Sequence, residues 1–291
     1  MIKILLLENV DKITLELLPK NKYSIEYIDH ALKKEDLMQK IVNVDIIGIR
    51  SKTKLTSEVL KNALSLKLIA CFCIGTNQVD LEYCKNNNIQ VINSPHPSGR
   101  SVAELVISQI ISLARCIPVH MNNSNNNIWN KTSKNSFEVR GKTLGIIGYG
   151  NVGSQLSTLA EAMGMRVVFY DINPVMGLGN SEKCFNMAEL LRVSDFVSIH
   201  VPETELTIGL IGQKELSLMK KNSYLLNLSR GSVLDLGHLR NAIDSGHIAG
   251  CALDVYPNEP KSNNSNWTNI MQGARNTILT PHIGGSTIEA Q

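Results

Sequence analysis

Leu144-Gly145-Ile146-Ile147-Gly148-Tyr149-Gly150-Asn151-Val152-Gly153 decides the fold. Its apolar first half reads as a buried strand and its second half as a G-x-G-x-x-G turn. The residues that follow carry Leu156, Leu159, Ala160 and Met163 at helical spacing. The next apolar run, Arg166–Tyr170, leads into Asp171, 18 residues beyond Gly153. A glycine triplet alone occurs in ordinary turns. Strand, triplet, helix, strand and acid at this interval make a βαβ unit suited to a dinucleotide. Gly148 allows the tight turn, Gly150 lets backbone come close to a pyrophosphate beside Asn151 and Val152, and Gly153 lets helix and strand pack closely. The helix N-terminus is then aimed at the phosphates. Asp171 would accept hydrogen bonds from the adenine ribose and repel a 2′-phosphate. Ile172-Asn173-Pro174 supplies no arginine to reverse that preference, so NAD is expected over NADP.

Outward from this unit, short apolar runs alternate with helical patterns in both directions, the signature of parallel sheets. Downstream, strands are expected at 144–148, 166–170, 196–200, 224–228, 248–252 and 277–279, enough for a complete doubly wound sheet. Upstream, strands are expected at 3–7, 24–28, 45–49, 68–73 and 89–92, with helices at 34–42, 57–63 and 80–86. Asn93-Ser94-Pro95-His96-Pro97-Ser98-Gly99 interrupts the pattern and marks a boundary. Val102, Leu105, Val106, Ile110 and Leu113 then give one long helix. The fold class is therefore α/β, with two doubly wound parallel-sheet domains: a flavodoxin-like one over 1–96 and a Rossmann one over 97–283. The Asn-rich stretches 122–127 and 262–266 read as loops.

Bulk properties narrow the functional classes. With 291 residues, 43% of them hydrophobic, two cores can be buried. The net charge is only +3 and the two signs are interspersed, which argues against a nucleic-acid or membrane surface. The first apolar run is too short for a leader, and no run of 18 apolar residues exists. Six scattered cysteines read as reduced thiols of a cytoplasmic protein, and Cys71-Phe72-Cys73 has no metal spacing, so no metal is expected.

Three later segments carry candidate chemistry: Leu226-Asn227-Leu228-Ser229-Arg230-Gly231, Ala252-Leu253-Asp254-Val255-Tyr256-Pro257-Asn258-Glu259-Pro260 and Thr280-Pro281-His282-Ile283-Gly284-Gly285. An arginine after a strand, a glutamate before proline and a histidine between proline and glycines resemble the Arg–Glu–His set of the D-2-hydroxyacid dehydrogenases. Arg50-Ser51-Lys52 and Ile74-Gly75-Thr76-Asn77-Gln78-Val79-Asp80 resemble that family's substrate loops. The stretch 71–80, with Arg100-Ser101-Val102-Ala103-Glu104-Leu105, is especially similar to its phosphoglycerate-oxidising members of the bacterial type.

The chemistry explains these residue types. Oxidising a 2-hydroxy acid sends a hydride from C2 to a nicotinamide while a base takes the hydroxyl proton. Imidazole titrates near neutrality, which suits His282 to that role. Glu259 would accept the other ring N–H, and Arg230 offers a planar fork to the substrate carboxylate. The resemblance implies that Asp254 holds the nicotinamide carboxamide, with Leu228, Ser229, Gly284 and Gly285 lining that pocket, and that Arg50, Ser51, Lys52 and Gly75 meet the substrate. Basic Arg50 and Lys52 favour a phosphate over a methyl at its far end.

The resemblance further implies a cleft between the domains that closes over the substrate, with hinges near 94–99 and 281–285, and a homodimer or higher homo-oligomer joined through the nucleotide-binding domain. His200 reads as cleft lining. His30, His96, His120, His238 and His247 have no partner motif. Trp129 suits an intersubunit contact or ordinary packing. Two alternatives stay open: a relative acting on an unphosphorylated acid of the 2-oxoglutarate, glyoxylate or lactate type, and a non-enzymatic NAD-sensing protein. The family's chains continue with a helix returning to the substrate domain, and these members add a serine-binding regulatory domain. Residues 284–291 therefore read as the start of that return in a fragment of a longer chain, with an apolar groove left bare.

Overall fold

The computed structural model describes residues 1–73, 75–94, 98–260 and 265–290. They form two compact units, one of 1–98 with the residues from 288 on, the other of 99–287. The first contains β1 (Ile2–Leu6), α1 (Ile13–Leu17), β2 (Tyr23–Tyr27), α2 (Lys34–Lys40), β3 (Ile46–Ile49), α3 (Ser57–Leu60), β4 (Leu68–Cys71), α4 (Leu81–Asn86) and β5 (Gln90–Asn93). Its sheet runs β2-β1-β3-β4-β5 and every pairing is parallel. That is the flavodoxin-like order, with its switch point between β1 and β3. Leu5, Leu7, Ile47, Ile49, Ile69 and Cys71 pack against Leu37, Ile41, Val59 and Leu60 from the helices. The candidate loops after β3 and β4 leave this sheet at its carboxyl edge.

The second unit opens with α5 (Gly99–Ala114) and α6 (Ile117–Asn125). It continues through β6 (Thr143–Ile147), α7 (Asn151–Ala162), β7 (Arg166–Tyr170), β8 (Glu182–Lys183), α8 (Met187–Val193) and β9 (Phe196–Ile199). Then come α9 (Gln213–Leu218), β10 (Ser223–Asn227), α10 (Leu236–Asp244), β11 (Ile248–Leu253) and β12 (Thr277–Leu279). The parallel sheet is ordered β12-β11-β10-β9-β6-β7-β8. This is the Rossmann order extended by one strand, with its switch point between β6 and β9. All residues of β6, β9 and β10 are buried, as expected of central strands covered on both faces. One face packs on α5 and α7 through Val106, Ile110, Leu113, Leu156 and Ala160. The other packs on α8 and α10 through Leu190, Leu191, Leu239 and Ile243.

One loop expectation is corrected. The Asn-rich run 122–127 is helical through Asn125, as the end of α6. Left-handed Cys116 (φ +50°) breaks from α5, and Pro118 in the first turn starts the new helix. Asparagine costs only about 0.7 kcal/mol per helical residue, too little to stop a helix so started. The chain leaves α6 through Asn126 and left-handed Asn127 (φ +60°). Trp129, just beyond, is 90% exposed, so it is not an ordinary packed indole. In the second Asn-rich run, 262–264 lie outside the described residues, while Ser265 and Asn266 have no regular structure. His96 also lies outside them.

Among the described residues no disulfide joins the cysteines. Burial pushes Cys71 and Cys251 up to about 12 and Cys84 and Cys184 up to about 11, so these four stay protonated. Among the described residues no single helix is long and apolar enough to cross a membrane.

Phe169 of β7 is fully buried and stacks on Tyr149 at 3.8 Å between centroids. Phe169→Ala should destabilise the second unit by about 3–5 kcal/mol. Urea unfolding followed by circular dichroism checks this, and a change below about 1 kcal/mol would mean the site repacks.

Candidate active site

The glycine turn joins β6 to α7, and the three glycines differ in what surrounds them. Gly148 has φ +91°, and a Cβ there would lie 2.4 Å from the His200 carbonyl oxygen. A Cβ on Gly153 would lie 2.3 Å from the Gly148 oxygen, so helix and strand touch through bare backbone. At Gly150 a Cβ would meet no atom within 4 Å, which leaves that position open for a ligand. Gly150 is also the N-cap of α7 and no side chain caps the helix. Backbone donors and the positive end of the helix are thus offered to an anion.

Asp171, just past β7, accepts hydrogen bonds from the N–H groups of Tyr149 (2.7 Å) and Asn173 (2.8 Å). A carboxylate has about four acceptor directions, so a sugar diol can still be received. Asp171 therefore also braces the glycine turn through its second residue. Asn151 and Val152 open α7. Open space at Gly150, an uncapped helix start and an acid with acceptor capacity fit a dinucleotide.

The later segments follow β10, β11 and β12, so they emerge at the same carboxyl edge. Asn227, 1% exposed at the end of β10, folds the next turn around its side chain. Its Oδ1 accepts from the Ser229 N–H (3.1 Å) and Oγ (2.9 Å), and its Nδ2 donates to the Arg230 carbonyl (3.0 Å). Leu228 and Ser229 are buried there, and Arg230 Nη1 donates to the Ser229 carbonyl at 2.7 Å. A Cβ on Gly231 would lie 2.0 Å from the Tyr256 carbonyl carbon. Only glycine lets the turn bearing Arg230 touch the backbone that leads to Glu259.

Asp254, 1% exposed, gathers the last segment. It accepts from Thr280 Oγ1 (2.5 Å), Ile283 N (2.9 Å) and Gly284 N (2.7 Å), and Gly285 follows in the same turn. Tyr256 Oη lies 2.9 Å from the carbonyls of both Leu253 and Thr280. Its ring meets Trp267 edge-on at 4.5 Å. Held between these, His282 adopts left-handed backbone (φ +54°), a conformation costing about 1–2 kcal/mol for a residue with a Cβ.

His282 Nδ1 lies 2.8 Å from Glu259 Oε2, and Glu259 Oε1 accepts from the Tyr256 N–H at 3.2 Å. The hydrogen bond to Glu259 raises the His282 pKa above its ordinary value, against partial burial, with the charges of Glu259 and Asp254 assisting. Burial pushes Glu259 up, but the hydrogen bond and charge of His282 outweigh it and hold the carboxyl below the usual range. Arg230 is near enough that its charge lowers both. Arginine, glutamate and histidine from three separated segments are thus brought together.

His200 follows β9 beside the glycine turn, with Nε2 2.8 Å from Ser198 Oγ. Desolvation lowers it to about 4, so it is a neutral imidazole. Two of the remaining histidines pair with local acids, His30 with Asp29 and His238 with Asp235. Arg50, Ser51, Lys52 and Gly75 belong to the first unit, in the loops after β3 and β4. Sequence reading passed over Asn227, Gly231, Tyr256 and Thr280. Gly231 had a signal, a glycine directly after the candidate arginine. The others carry no pattern that single-sequence reading can isolate.

Comparison with known proteins places the chain in a family. Residues 107–284 match the D-isomer specific 2-hydroxyacid dehydrogenase family in its NAD binding domain. Over 290 residues the chain is 52% identical to a D-3-phosphoglycerate dehydrogenase of Dictyostelium discoideum, covering all of this chain and 71% of that protein. It is 48% identical over 291 residues to the D-3-phosphoglycerate dehydrogenase of Escherichia coli, again with 71% of that protein covered. It is 50% identical to D-3-phosphoglycerate dehydrogenase 1 of Saccharomyces cerevisiae, covering 99% of this chain and 63% of that protein. Among solved structures, an Aquifex aeolicus D-lactate dehydrogenase complexed with NAD and lactic acid superposes with a TM-score of 0.83 at 28% identity, covering 99% of this chain and 90% of that one. A Thermus thermophilus protein superposes with 0.88 at 26%, covering 98% and 91%. The match over most of the second unit and the identity along the whole length lead to one conclusion: this chain belongs to the NAD-dependent D-isomer specific 2-hydroxyacid dehydrogenase family.

Proposed function

We propose that this chain oxidises D-3-phosphoglycerate at C2, giving 3-phosphohydroxypyruvate, the reaction that opens serine synthesis. The observation that carries the reading is the 2.8 Å contact between His282 Nδ1 and Glu259 Oε2 beside Arg230. With Nδ1 engaged by Glu259, Nε2 is the nitrogen that takes the C2 hydroxyl proton. Glu259 fixes the tautomer and stabilises the imidazolium that forms. Arg230 binds the substrate carboxylate and the developing carbonyl oxygen. Bound NAD supplies the hydride acceptor. Gly148, Gly150, Asn151, Val152 and Gly153 hold its pyrophosphate and Asp171 its adenine ribose, while Leu228, Ser229, Gly284 and Gly285 line the nicotinamide pocket. Asp254 has three of about four acceptor directions taken, and the fourth serves the carboxamide. Arg50, Ser51, Lys52 and Gly75 meet the substrate, the two cations at its phosphate. The protein works as a homodimer or higher homo-oligomer through the NAD-binding unit, and exposed Trp129 supports a contact there.

The direct test is NADH formation with a panel of 2-hydroxy acids including D-3-phosphoglycerate, D-lactate and 2-hydroxyglutarate. Turnover of an unphosphorylated acid at equal or higher kcat/KM would replace the substrate assignment. Absence of turnover with all of them would favour an NAD-sensing role.

NAD should be used at least about tenfold more efficiently than NADP, because Asp171 repels a 2′-phosphate. Equal kcat/KM for the two would remove Asp171 from that role. His282→Ala should lower kcat by about 10² to 10⁴. The base must be neutral, so oxidation should rise as pH rises through the raised His282 pKa. In Glu259→Gln that limb should move to lower pH, since the group that raises the pKa is gone. A limb that stays in place would show that another residue sets it. Arg50→Ala should raise KM for D-3-phosphoglycerate by about tenfold or more, as expected for a lost charge-assisted contact. An unchanged KM would show that Arg50 does not read the phosphate.

A further inference from the structure

Glu8 stands two residues past β1, has left-handed backbone (φ +64°) and is only 7% exposed. Glutamate is almost never this buried unless paired. Here its partners are main-chain donors of one loop, the turn that leaves β3. Oε1 accepts from the N–H groups of Arg50 (3.2 Å) and Thr53 (2.7 Å), and Oε2 from that of Lys52 (2.8 Å). The Glu8 N–H is itself tied to the His30 carbonyl at 3.2 Å, which fixes the clamp to the loop that follows β2.

The clamped loop reads Arg50-Ser51-Lys52-Thr53-Lys54, three cations in five residues. Their mutual repulsion favours an open loop, and one buried negative charge beneath the backbone opposes it. The opposite side is tied by Gln78. Its Nε2 lies 2.9 Å from the Arg50 carbonyl, 3.1 Å from the Gly75 carbonyl and 3.3 Å from Cys73 Sγ. The Leu55 N–H donates to the Gln78 carbonyl at 2.8 Å. Arg50 is thus held at its N–H by Glu8 and at its carbonyl by Gln78, which leaves its side chain as the part free to meet a ligand.

We propose that Glu8 is a positioning residue for substrate recognition. Its three main-chain hydrogen bonds set the backbone from which Arg50 and Lys52 reach the substrate's phosphate. The proposal rests on the phosphate reading given above, and its test is built to separate the two. In Glu8→Gln the amide oxygen can keep the Arg50 and Thr53 N–H groups, but its NH₂ then faces the Lys52 N–H, donor against donor. The loop shifts at Lys52 while the second unit, with His282 and the NAD site, is untouched.

Steady-state kinetics of Glu8→Gln should show KM for D-3-phosphoglycerate raised about tenfold, kcat within about threefold, and KM for NAD unchanged. The same substitution in an Arg50→Ala/Lys52→Ala background should add less than about threefold, because coupled residues are non-additive. A merely structural role would give the same factor in both backgrounds, or a fall in kcat with KM unmoved, and either result overturns the proposal. If Glu8→Gln does not fold, Glu8→Asp keeps the charge but withdraws the oxygens by one methylene. It should show a smaller rise in KM with the same non-additivity, and an additive effect would overturn the proposal. If Arg50→Ala/Lys52→Ala leaves KM unchanged, the phosphate reading falls and this proposal with it. If that pair raises KM and Glu8→Gln does not, only the proposal falls.

Discussion

The candidate active site depends on one buried carboxylate. Asp254 sits at the end of β11 with 1% exposure and draws in a hydroxyl and two backbone N–H groups from the segment after β12. A bare carboxylate so buried would be costly, and these donors offset the cost only when residues 280–284 wrap around it. That wrap forces His282 into left-handed backbone and aims its ring at Glu259. The strain at His282 is therefore held by hydrogen bonds made by its neighbours, and the imidazole's orientation follows from a residue 28 positions earlier in the chain. The charge of Asp254 also helps to raise the His282 pKa, so one group sets both geometry and basicity.

A second constraint is the use of missing side chains. At Gly148, Gly153 and Gly231 a Cβ would collide with backbone at 2.0–2.4 Å, whereas at Gly150 it would meet nothing within 4 Å. The first three glycines bring chain against chain and the fourth leaves room for a ligand. The sheet supplies the common edge, since the parallel strands β6, β7, β10, β11 and β12 all deliver their loops on the same side.

Much of this was legible in the sequence because the signals were local. The glycine turn with Asp171, and the strands around them, follow from periodicity and spacing within one βαβ unit. Arg230, Glu259 and His282 were picked out by the motifs around them. The contact of His282 with Glu259, and the nearness of Arg230's charge, are long-range and emerge only when β10, β11 and β12 lie side by side. The unread part has two physical causes. Tyr256, Thr280 and Asn227 act through hydrogen bonds whose partners lie in other turns, so nothing nearby in sequence marks them. The Asn-rich run was misread because propensity penalties of about 0.7 kcal/mol per residue lose to a helix already started at Pro118. Glu8 looked like any polar residue after a strand, and its role shows only where β1 lies beside β3.

The ends of the large sheet are also shaped by the sequence. Its outermost strands are β8, only Glu182 and Lys183, and β12, three residues long. Both residues of β8 are charged and exposed, and Glu182 is clasped by Arg166 of the adjacent strand. An open edge is a row of unsatisfied amides that can recruit a strand from another molecule, and short, charged margins blunt that recruitment. Seven parallel strands with continuous apolar centres are an aggregation hazard while they assemble. This molecule narrows one margin to two charged residues and the other to three residues, so the sheet's cohesion is concentrated in its middle strands.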